Sequence, residues 1–196
     1  MPMPFDRRLA LPVLLLSASL LGGCAAVVVG GATTGAVAAH DRRTFGTFIE
    51  DKEIHLKALR ILNADEELKR LSNIDITVYD LQVLLTGQAA NEAVVQRFVE
   101  QVAKIPRVRK VYNEVTIGAE NTWSDDAADA YLTSRVKLAL FDVGLEGFDP
   151  LRVKVVSADG TVYLMGLLTP EEADRVTEKV RYISGVKKVV KLFEYI

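Results

Sequence analysis

Two stretches of the chain resemble each other, and this internal repeat limits the fold more than any other feature of the sequence. The segments 74–87 and 153–166 align from Asp80 and Asp159 onward, at an offset of 79 residues. Each segment has two runs rich in Val, Ile and Leu on either side of a two-residue turn. Runs of this kind joined by a short turn are typical of a β-hairpin. The repeat therefore predicts two copies of one hairpin-containing unit.

The two turns differ in how well their residues suit a hairpin. Asp159-Gly160 is a strong signal for a type I′ turn, because both central positions of that turn need a positive φ. Asp80-Leu81 is a weaker signal, since the side chain of leucine disfavours that conformation. The first hairpin is therefore open to another type of turn.

A helix follows each hairpin, and its start is clearest in the second copy. Thr169 is a favourable N-cap, Pro170 suits the first helical position, and Glu172 completes a capping box. Asn91 is the corresponding cap in the first copy. These signals predict that a helix begins directly after the second strand of each copy.

A second helix precedes each hairpin, and a third strand ends each copy. The preceding helices are predicted near residues 50–62 and 127–142, and the final strands near 110–117 and 188–195. Each copy is then an α-β-β-α-β unit, in which two helices cover one face of a sheet. The predicted fold class is α+β, with two tandem units that each contain a three-stranded mixed sheet.

The N-terminal segment has the pattern of a secretion signal. Arg7 and Arg8 precede an apolar run from Leu9 to Leu21, which is short of the roughly 20 residues that a spanning helix needs. Leu21-Gly22-Gly23-Cys24 resembles a bacterial lipobox and contains the only cysteine of the chain. We expect cleavage before Cys24 and attachment of lipid, including palmitate, to its sulfur. The alternative is an unmodified cysteine that follows an ordinary signal by chance.

An uncharged segment connects this anchor to the rest of the chain. Residues 25–39 carry no charge and are rich in glycine, which favours a flexible tether over a buried strand or a short interfacial helix. The tether from Cys24 to Thr44 spans about 25 Å as a coil and about 70 Å fully extended. The folded part can therefore reach the membrane that holds its anchor. Ala25 after the cysteine is typical of lipoproteins sorted to the outer membrane.

The repeat resembles the BON domain, named for bacterial osmotic stress and nodulation proteins. The resemblance lies in the hairpins that end in Gly87 and Gly166, in the helices that follow, and in the V-x-x-V strand entries at 108–111 and 186–189. The segment 41–46, with the sequence D-R-R-T-x-G, leads into the first copy as in this family. Two copies behind a lipobox resemble the dual-BON outer-membrane lipoproteins.

The resemblance implies a division of the chain and a function. The expected parts are a signal peptide at 1–23, acylated Cys24 with a flexible tether at 24–43, a first BON domain at 44–118, a linker at 119–126 and a second BON domain at 127–196. The implied protein is non-enzymatic, is anchored in the outer membrane facing the periplasm, and supports the integrity of the cell envelope. It binds an anionic phospholipid, such as phosphatidylglycerol, through the second BON domain.

In this family, lipid contact is ascribed to the first helix of the second domain. The matching stretch here is Tyr131-Leu132-Thr133-Ser134-Arg135-Val136, with Tyr131 where the family has tryptophan. Trp123, in the predicted linker, can supply the missing indole. The resemblance therefore implies the following lipid-binding residues: Trp123, Tyr131, Leu132, Arg135 and Leu138.

Helical spacing gives this stretch two separate faces. Leu132, with the apolar residues that follow it at helical spacing, lies on a stripe that should face the sheet. Tyr131, Arg135 and Leu138 lie on a second stripe, which Lys137 and Phe141 flank. An aromatic ring, a cation and a leucine together suit a membrane interface. A contact with the other unit and a plain solvated surface remain the alternatives.

Charge and motifs exclude several other functions. A net charge of −2 argues against nucleic-acid binding. We find no hydrolase or phosphate-loop motif, no cluster of metal ligands and no cofactor motif, and His55 is expected to be an exposed helix residue. Asp125, Asp126 and Asp129 suit a helix start but would repel anionic lipid. The competing function is a scaffold that docks a protein of an envelope-assembly or division machine.

Overall fold

The computed structural model describes residues 41–118 and 123–196, with the backbone alone for 123–125. Cys24 and the predicted tether up to residue 40 therefore lie outside the described residues. The first unit comprises α1 (Phe45–Ala64), α2 (Glu66–Leu71), β1 (Ser72–Tyr79), β2 (Gln82–Ala89), α3 (Glu92–Ala103) and β3 (Lys110–Ile117). The second comprises α4 (Trp123–Leu140), a 3₁₀ turn (Pro150–Arg152), β4 (Lys154–Ala158), β5 (Thr161–Leu168), α5 (Pro170–Arg181) and β6 (Lys188–Tyr195).

The two sheets have the same topology. In each unit the first two strands form an antiparallel hairpin, and the third strand pairs in parallel with the second. The middle strands are β2 and β5. The parallel pairing follows from the helix between these strands, which returns the chain to the same end of the sheet. The predicted α+β fold, with two three-stranded mixed sheets, is confirmed.

Both hairpins use the same turn conformation. Asp159 and Gly160 have φ values of 52° and 73°, as the sequence predicts for a type I′ turn. Asp80 and Leu81 have φ values of 51° and 63°, so the first hairpin does not adopt a different turn. A leucine in the left-handed region costs about 1–2 kcal/mol. Other contacts of the first unit must offset that cost.

The helix starts agree with their capping signals, with one difference in length. Thr169 and Glu172 form the predicted capping box, and Asn91 accepts a hydrogen bond from the Val94 amide. α4 begins at Trp123, whereas the sequence predicts a start at Ala127. Residues 123–126, predicted as linker, are therefore its first turn. The apolar period that marked this helix covers only the part that packs on the sheet, so it does not show where the helix begins.

The helices of each unit cover one face of its own sheet. In the first unit, Ile54, Phe98 and Val102 from the helices pack on Val83 and Leu85. In the second unit, Val136 of α4 and Val176 of α5 pack in the same way in one cluster with Val162 and Leu164 of β5. Burial of apolar side chains of this size contributes about 1.5–3 kcal/mol each.

The other faces of the two sheets pack against each other. Residues 40–196 form one compact body, and a third apolar cluster joins its halves. Its buried members are Tyr79, Leu84, Tyr163, Met165 and Leu192. The middle strands are thus buried on both faces, which explains why they contain continuous apolar runs instead of alternating ones.

The segment before α1 also joins the two units. Arg42 donates hydrogen bonds to the Leu167 carbonyl (3.0 Å) and to both carboxylate oxygens of Glu172 (2.5 and 2.9 Å). Arg43 pairs with Asp41 and Asp51, at 2.6 and 2.7 Å. Residues 41–43, predicted as the end of the tether, therefore belong to the folded body.

Candidate lipid-contact surface

The rotation of α4 is fixed by the residues that it buries. Leu132, Val136 and Leu140 are at most 5% exposed and belong to the core of the second unit. The opposite side of the helix faces solvent, where Tyr131 is 67% and Leu138 is 71% exposed. Large apolar side chains exposed together are typical of interaction surfaces. Helical spacing alone correctly predicted this division of α4 into two faces.

Tyr131, Arg135 and Leu138 form what we call the outer face of α4. The guanidinium of Arg135 lies 5.8 Å from the centre of the Tyr131 ring and donates a hydrogen bond of 2.9 Å to the Ser184 carbonyl. These contacts hold the cation beside the aromatic ring. Phe141, which is 69% exposed, lies at one edge of this face. The face thus presents apolar and aromatic groups next to a positive charge.

The predicted contact residues lie in different environments in the structure. Leu132 is 5% exposed, because the sheet covers it, so it belongs to the core and not to the lipid-contact set. Trp123 begins α4, but its side chain lies outside the described residues, as does Cys24. The interpretation of Tyr131 and Leu138 as an inter-unit contact is wrong, because the units meet through their sheets and leave these side chains exposed.

Two aspartates on the first helices have a role that sequence reasoning missed. Asp129 accepts hydrogen bonds from the amides of Asp159 (2.8 Å) and Gly160 (3.1 Å) in the second hairpin turn. Asp51 does the same in the first turn, with the amides of Asp80 (2.8 Å) and Leu81 (2.7 Å). Each carboxylate therefore holds its hairpin against the first helix of the unit.

The described aspartates of α4 do not carry their charges on its outer face. The carboxylate of Asp129 is turned towards the hairpin and away from the outer face. Asp126 lies near Asp75 of the first unit, whose pKa is raised mainly by burial and then by the charge of Asp126. The side chain of Asp125 lies outside the described residues. Neither described acid therefore places its charge beside Tyr131 and Leu138.

Two other features are absent from the residues that the structure describes. No three His, Cys, Asp or Glu side chains within 41–118 and 123–196 are grouped in a way that would hold a metal ion. None of the helices described here combines the length and the apolar composition needed to cross a bilayer.

Comparison with known proteins shows the family. The BON domain model matches residues 50–119 and 128–196. The outer membrane lipoprotein DolP of Haemophilus influenzae is 34% identical over 187 residues, which cover 95% of each chain. The 21 kDa hemolysin of Actinobacillus pleuropneumoniae is 30% identical over 156 residues, which cover 80% of this chain and 79% of the hemolysin.

A solved structure of CdsD, a structural protein of the type III secretion system of Chlamydia trachomatis, gives a far weaker match. It is 15% identical with a TM-score of 0.28, over 74% of this chain and 63% of that one, and nothing further follows from it. The two BON domain matches coincide with the two α-β-β-α-β units described above. The chain belongs to the BON domain family, as a DolP-like outer-membrane lipoprotein with two BON units.

Proposed function

We propose that the outer face of α4 binds anionic phospholipid, such as phosphatidylglycerol, in the leaflet that faces the periplasm. One observation carries the proposal: Tyr131 and Leu138 are exposed beside Arg135 on a helix whose opposite side is fully used by the core. Aromatic and aliphatic groups enter the headgroup region, while a guanidinium reaches the phosphates. Trp123 is a further proposed contact, since it begins the same helix.

The acyl anchor makes a weak site sufficient. Lipid on Cys24 would hold the folded body near the bilayer, where a short flexible tether gives an effective concentration in the mM range. A site that contributes about 4–6 kcal/mol is then largely occupied. The proposed role is therefore orientation of a non-enzymatic, periplasm-facing protein on its membrane, in support of envelope integrity.

The test is co-sedimentation of residues 41–196, which contain all three apolar clusters, with phosphatidylglycerol or phosphatidylcholine vesicles. We expect binding to the anionic vesicles, and its loss in Tyr131→Ala/Leu138→Ala. Arg135→Glu should remove the preference for anionic lipid, because it replaces the cation of the face with a carboxylate. The matched control is Leu56→Ala/Ile117→Ala, which removes two exposed apolar side chains from the first unit.

Equal binding of the control and the α4 variant would contradict the proposal, as would the absence of binding to either vesicle. The second candidate, a scaffold for an envelope protein, would then gain weight. For that function α1 offers another exposed apolar stripe, with Phe45 at 65%, Ile49 at 50% and Leu56 at 52% exposure. Photo-crosslinking from these positions in cells would identify the partner.

A further inference from the structure

A cavity of about 480 Å³ lies between the two units, and none of Tyr131, Arg135 and Leu138 lines it. Residues of α1 line one side, and residues from the end of α4 and the start of β4 line the other. Its volume is within the range of roughly 300–1,000 Å³ that is typical of small-molecule sites. The cavity is therefore large enough for more than a bare inorganic ion.

The charged lining of this cavity is predominantly positive. Arg43, Lys52, Lys137 and Lys154 contribute side chains from four different segments, and Asp51 is the single carboxylate among the lining residues. That carboxylate is already used, because it accepts hydrogen bonds from Arg43 and from the amides of Asp80 and Leu81. It does not compensate the lysines.

The three lysines have no acidic partner among the residues that the structure describes. Among residues 41–118 and 123–196, Lys52, Lys137 and Lys154 form no salt bridge. Burial lowers the pKa of Lys154, and the charges of Lys137, Lys52 and Arg43 lower it further. Cations from both units therefore act on one ammonium group. Mutual repulsion of this kind is relieved when an anion binds among the cations.

Apolar side chains complete the lining. Phe48 and Phe141 line the cavity from opposite units and are 38% and 69% exposed, so they lie where it opens to solvent. Leu151 is exposed at the same opening. The Phe48 ring also lies 5.5 Å from the Lys52 ammonium. A ligand that fits this lining has an anionic group for the interior and an apolar or uncharged substituent for the mouth.

We propose that the cavity between the two BON units is a second binding site, for a phosphate ester. Lysine and arginine donors both suit phosphate oxygens, and several of them can share one phosphate group. The same chemistry is offered by the headgroup of an anionic phospholipid and by a soluble phosphate ester. The site goes beyond the proposed function, because it needs residues of both units and none of Tyr131, Arg135 and Leu138.

The test uses residues 41–196 with ¹³C-labelled lysine, observed by NMR. The probes are glycerophosphoglycerol, which is the deacylated headgroup of phosphatidylglycerol, inorganic phosphate, and glycerol as the uncharged control. We expect shifts at Lys52, Lys137 and Lys154 with glycerophosphoglycerol but not with glycerol. The pKa of Lys154 should rise towards its ordinary value of 10.5 on saturation, because a bound anion favours the charged amine.

Two double variants distinguish specific binding in the cavity from non-specific attraction of an anion to surface lysines. Lys137→Ala/Lys154→Ala should weaken binding of glycerophosphoglycerol at least about tenfold, the equivalent of ~1.4 kcal/mol. Lys69→Ala/Lys104→Ala removes the same charge from positions in the first unit that do not line the cavity and should leave binding unchanged. Equal weakening by both variants, or lysine shifts no larger than those from chloride at equal ionic strength, would overturn the proposal.

Vesicle binding distinguishes the two sources of the phosphate group. If the ligand is a lipid headgroup, Lys137→Ala/Lys154→Ala also lowers binding to phosphatidylglycerol vesicles. If it is a soluble ester, vesicle binding is kept while binding of glycerophosphoglycerol is lost. Tyr131→Ala/Leu138→Ala should still bind glycerophosphoglycerol, so failure of the outer face and failure of the cavity give different results.

Discussion

The two BON units share one plan, but they stabilise their hairpins differently. In both, an aspartate of the first helix accepts the two amides of a type I′ turn. In the second unit the turn contains Gly160, and Asp129 is only partly buried. In the first unit the turn contains Leu81 at φ 63°, and Asp51 is 4% exposed and paired with Arg43.

This difference shows how an unfavourable turn residue is tolerated. Gly160 adopts positive φ with little strain, so two hydrogen bonds to a partly exposed carboxylate suffice. Leu81 is strained, and its turn is held by two hydrogen bonds to a buried carboxylate, whose charge the Arg43 guanidinium neutralises. Arg43 in turn stacks on Tyr79, 3.8 Å from the ring centre. The first unit thus depends on Arg43, which lies in the segment before α1.

The largest expected difference in stability is between variants of Asp51 and Asp129. Asp51→Ala should destabilise the folded body by about 3–5 kcal/mol, because it leaves two amides of the turn unsatisfied and leaves the partly buried Arg43 paired with Asp41 but no longer with residue 51. Asp129→Ala should cost only about 1–2 kcal/mol, since water can reach its partners. Urea denaturation of residues 41–196 measures both values. Equal costs would contradict the view that the two turns are held differently.

A smaller difference in the free energy of unfolding is expected for Gly87 and Gly166, which occupy the same position in the two copies of the repeat. A Cβ on Gly87 would lie 2.0 Å from the Asn73 carbonyl oxygen, and the φ of 110° adds strain. A Cβ on Gly166 would lie 2.8 Å from the Arg152 carbonyl oxygen, without a positive φ. Gly87→Ala should therefore cost about 3 kcal/mol and Gly166→Ala about 1–2 kcal/mol. Thermal unfolding of the two variants compares them, and a costlier Gly166→Ala would refute this ranking.

The sequence predicted the parts of the fold that depend on neighbouring residues. The strands, the caps at Asn91 and Thr169 and the two faces of α4 follow from local patterns, and the structure agrees with each. The sequence left the type of turn at Asp80-Leu81 open, because the cost of its type I′ conformation is offset by Asp51, which lies on another element.

The packing of the two units against each other could not be predicted from the sequence. Leu84, Tyr163 and Met165 lie in apolar runs that indicate burial, but a run does not say which surface covers the second face of a strand. For the same reason the cationic cavity was missed, since its lysines are far apart in the chain. The inclusion of Leu132 among lipid contacts came from family resemblance, whereas its helical spacing correctly placed it in the core.

The contact between Arg42 and Glu172 should stabilise the fold by an amount that depends on pH and lies between the effects above and those of the exposed faces. Burial raises the pKa of Glu172, but hydrogen bonds from Arg42 and the Thr169 amide, with the charges of Arg42 and Arg152, lower it below its ordinary value of 4.5. The stabilisation is therefore complete above the unfolded-state pKa and is lost as pH falls through the lower folded-state pKa. Acid should loosen the link between segment 41–43 and the second unit.

Glu172→Gln tests this link. It should cost about 2 kcal/mol at pH 7, because charge-assisted hydrogen bonds to Arg42 and Arg152 are replaced by weaker ones. At pH 3 the difference between the variant and the original chain should shrink, since Glu172 gains a proton when the original chain unfolds. Urea denaturation at both pH values measures the change. A difference that is independent of pH would show that the cost comes from packing and not from charge.

The smallest effect on stability is expected on the exposed faces of the two first helices. Leu56 of α1 and Leu138 of α4 are 52% and 71% exposed, so replacing either with alanine should change the free energy of unfolding by less than about 0.5 kcal/mol. Their effects on vesicle binding should differ. Leu138 shares its face with Tyr131 and the Arg135 guanidinium, whereas Leu56 lies three residues after Glu53, whose carboxylate is paired with Lys57.

Leu138→Ala should therefore weaken binding to phosphatidylglycerol vesicles, while Leu56→Ala leaves it unchanged at the same stability. Because neither variant alters the core, a difference in co-sedimentation reports on the surface alone. If both variants weaken binding equally, the membrane contacts the first helices of both units, and the assignment of lipid binding to the second unit is wrong. In that case the two BON units differ in how their hairpins are held, but not in how they meet the membrane.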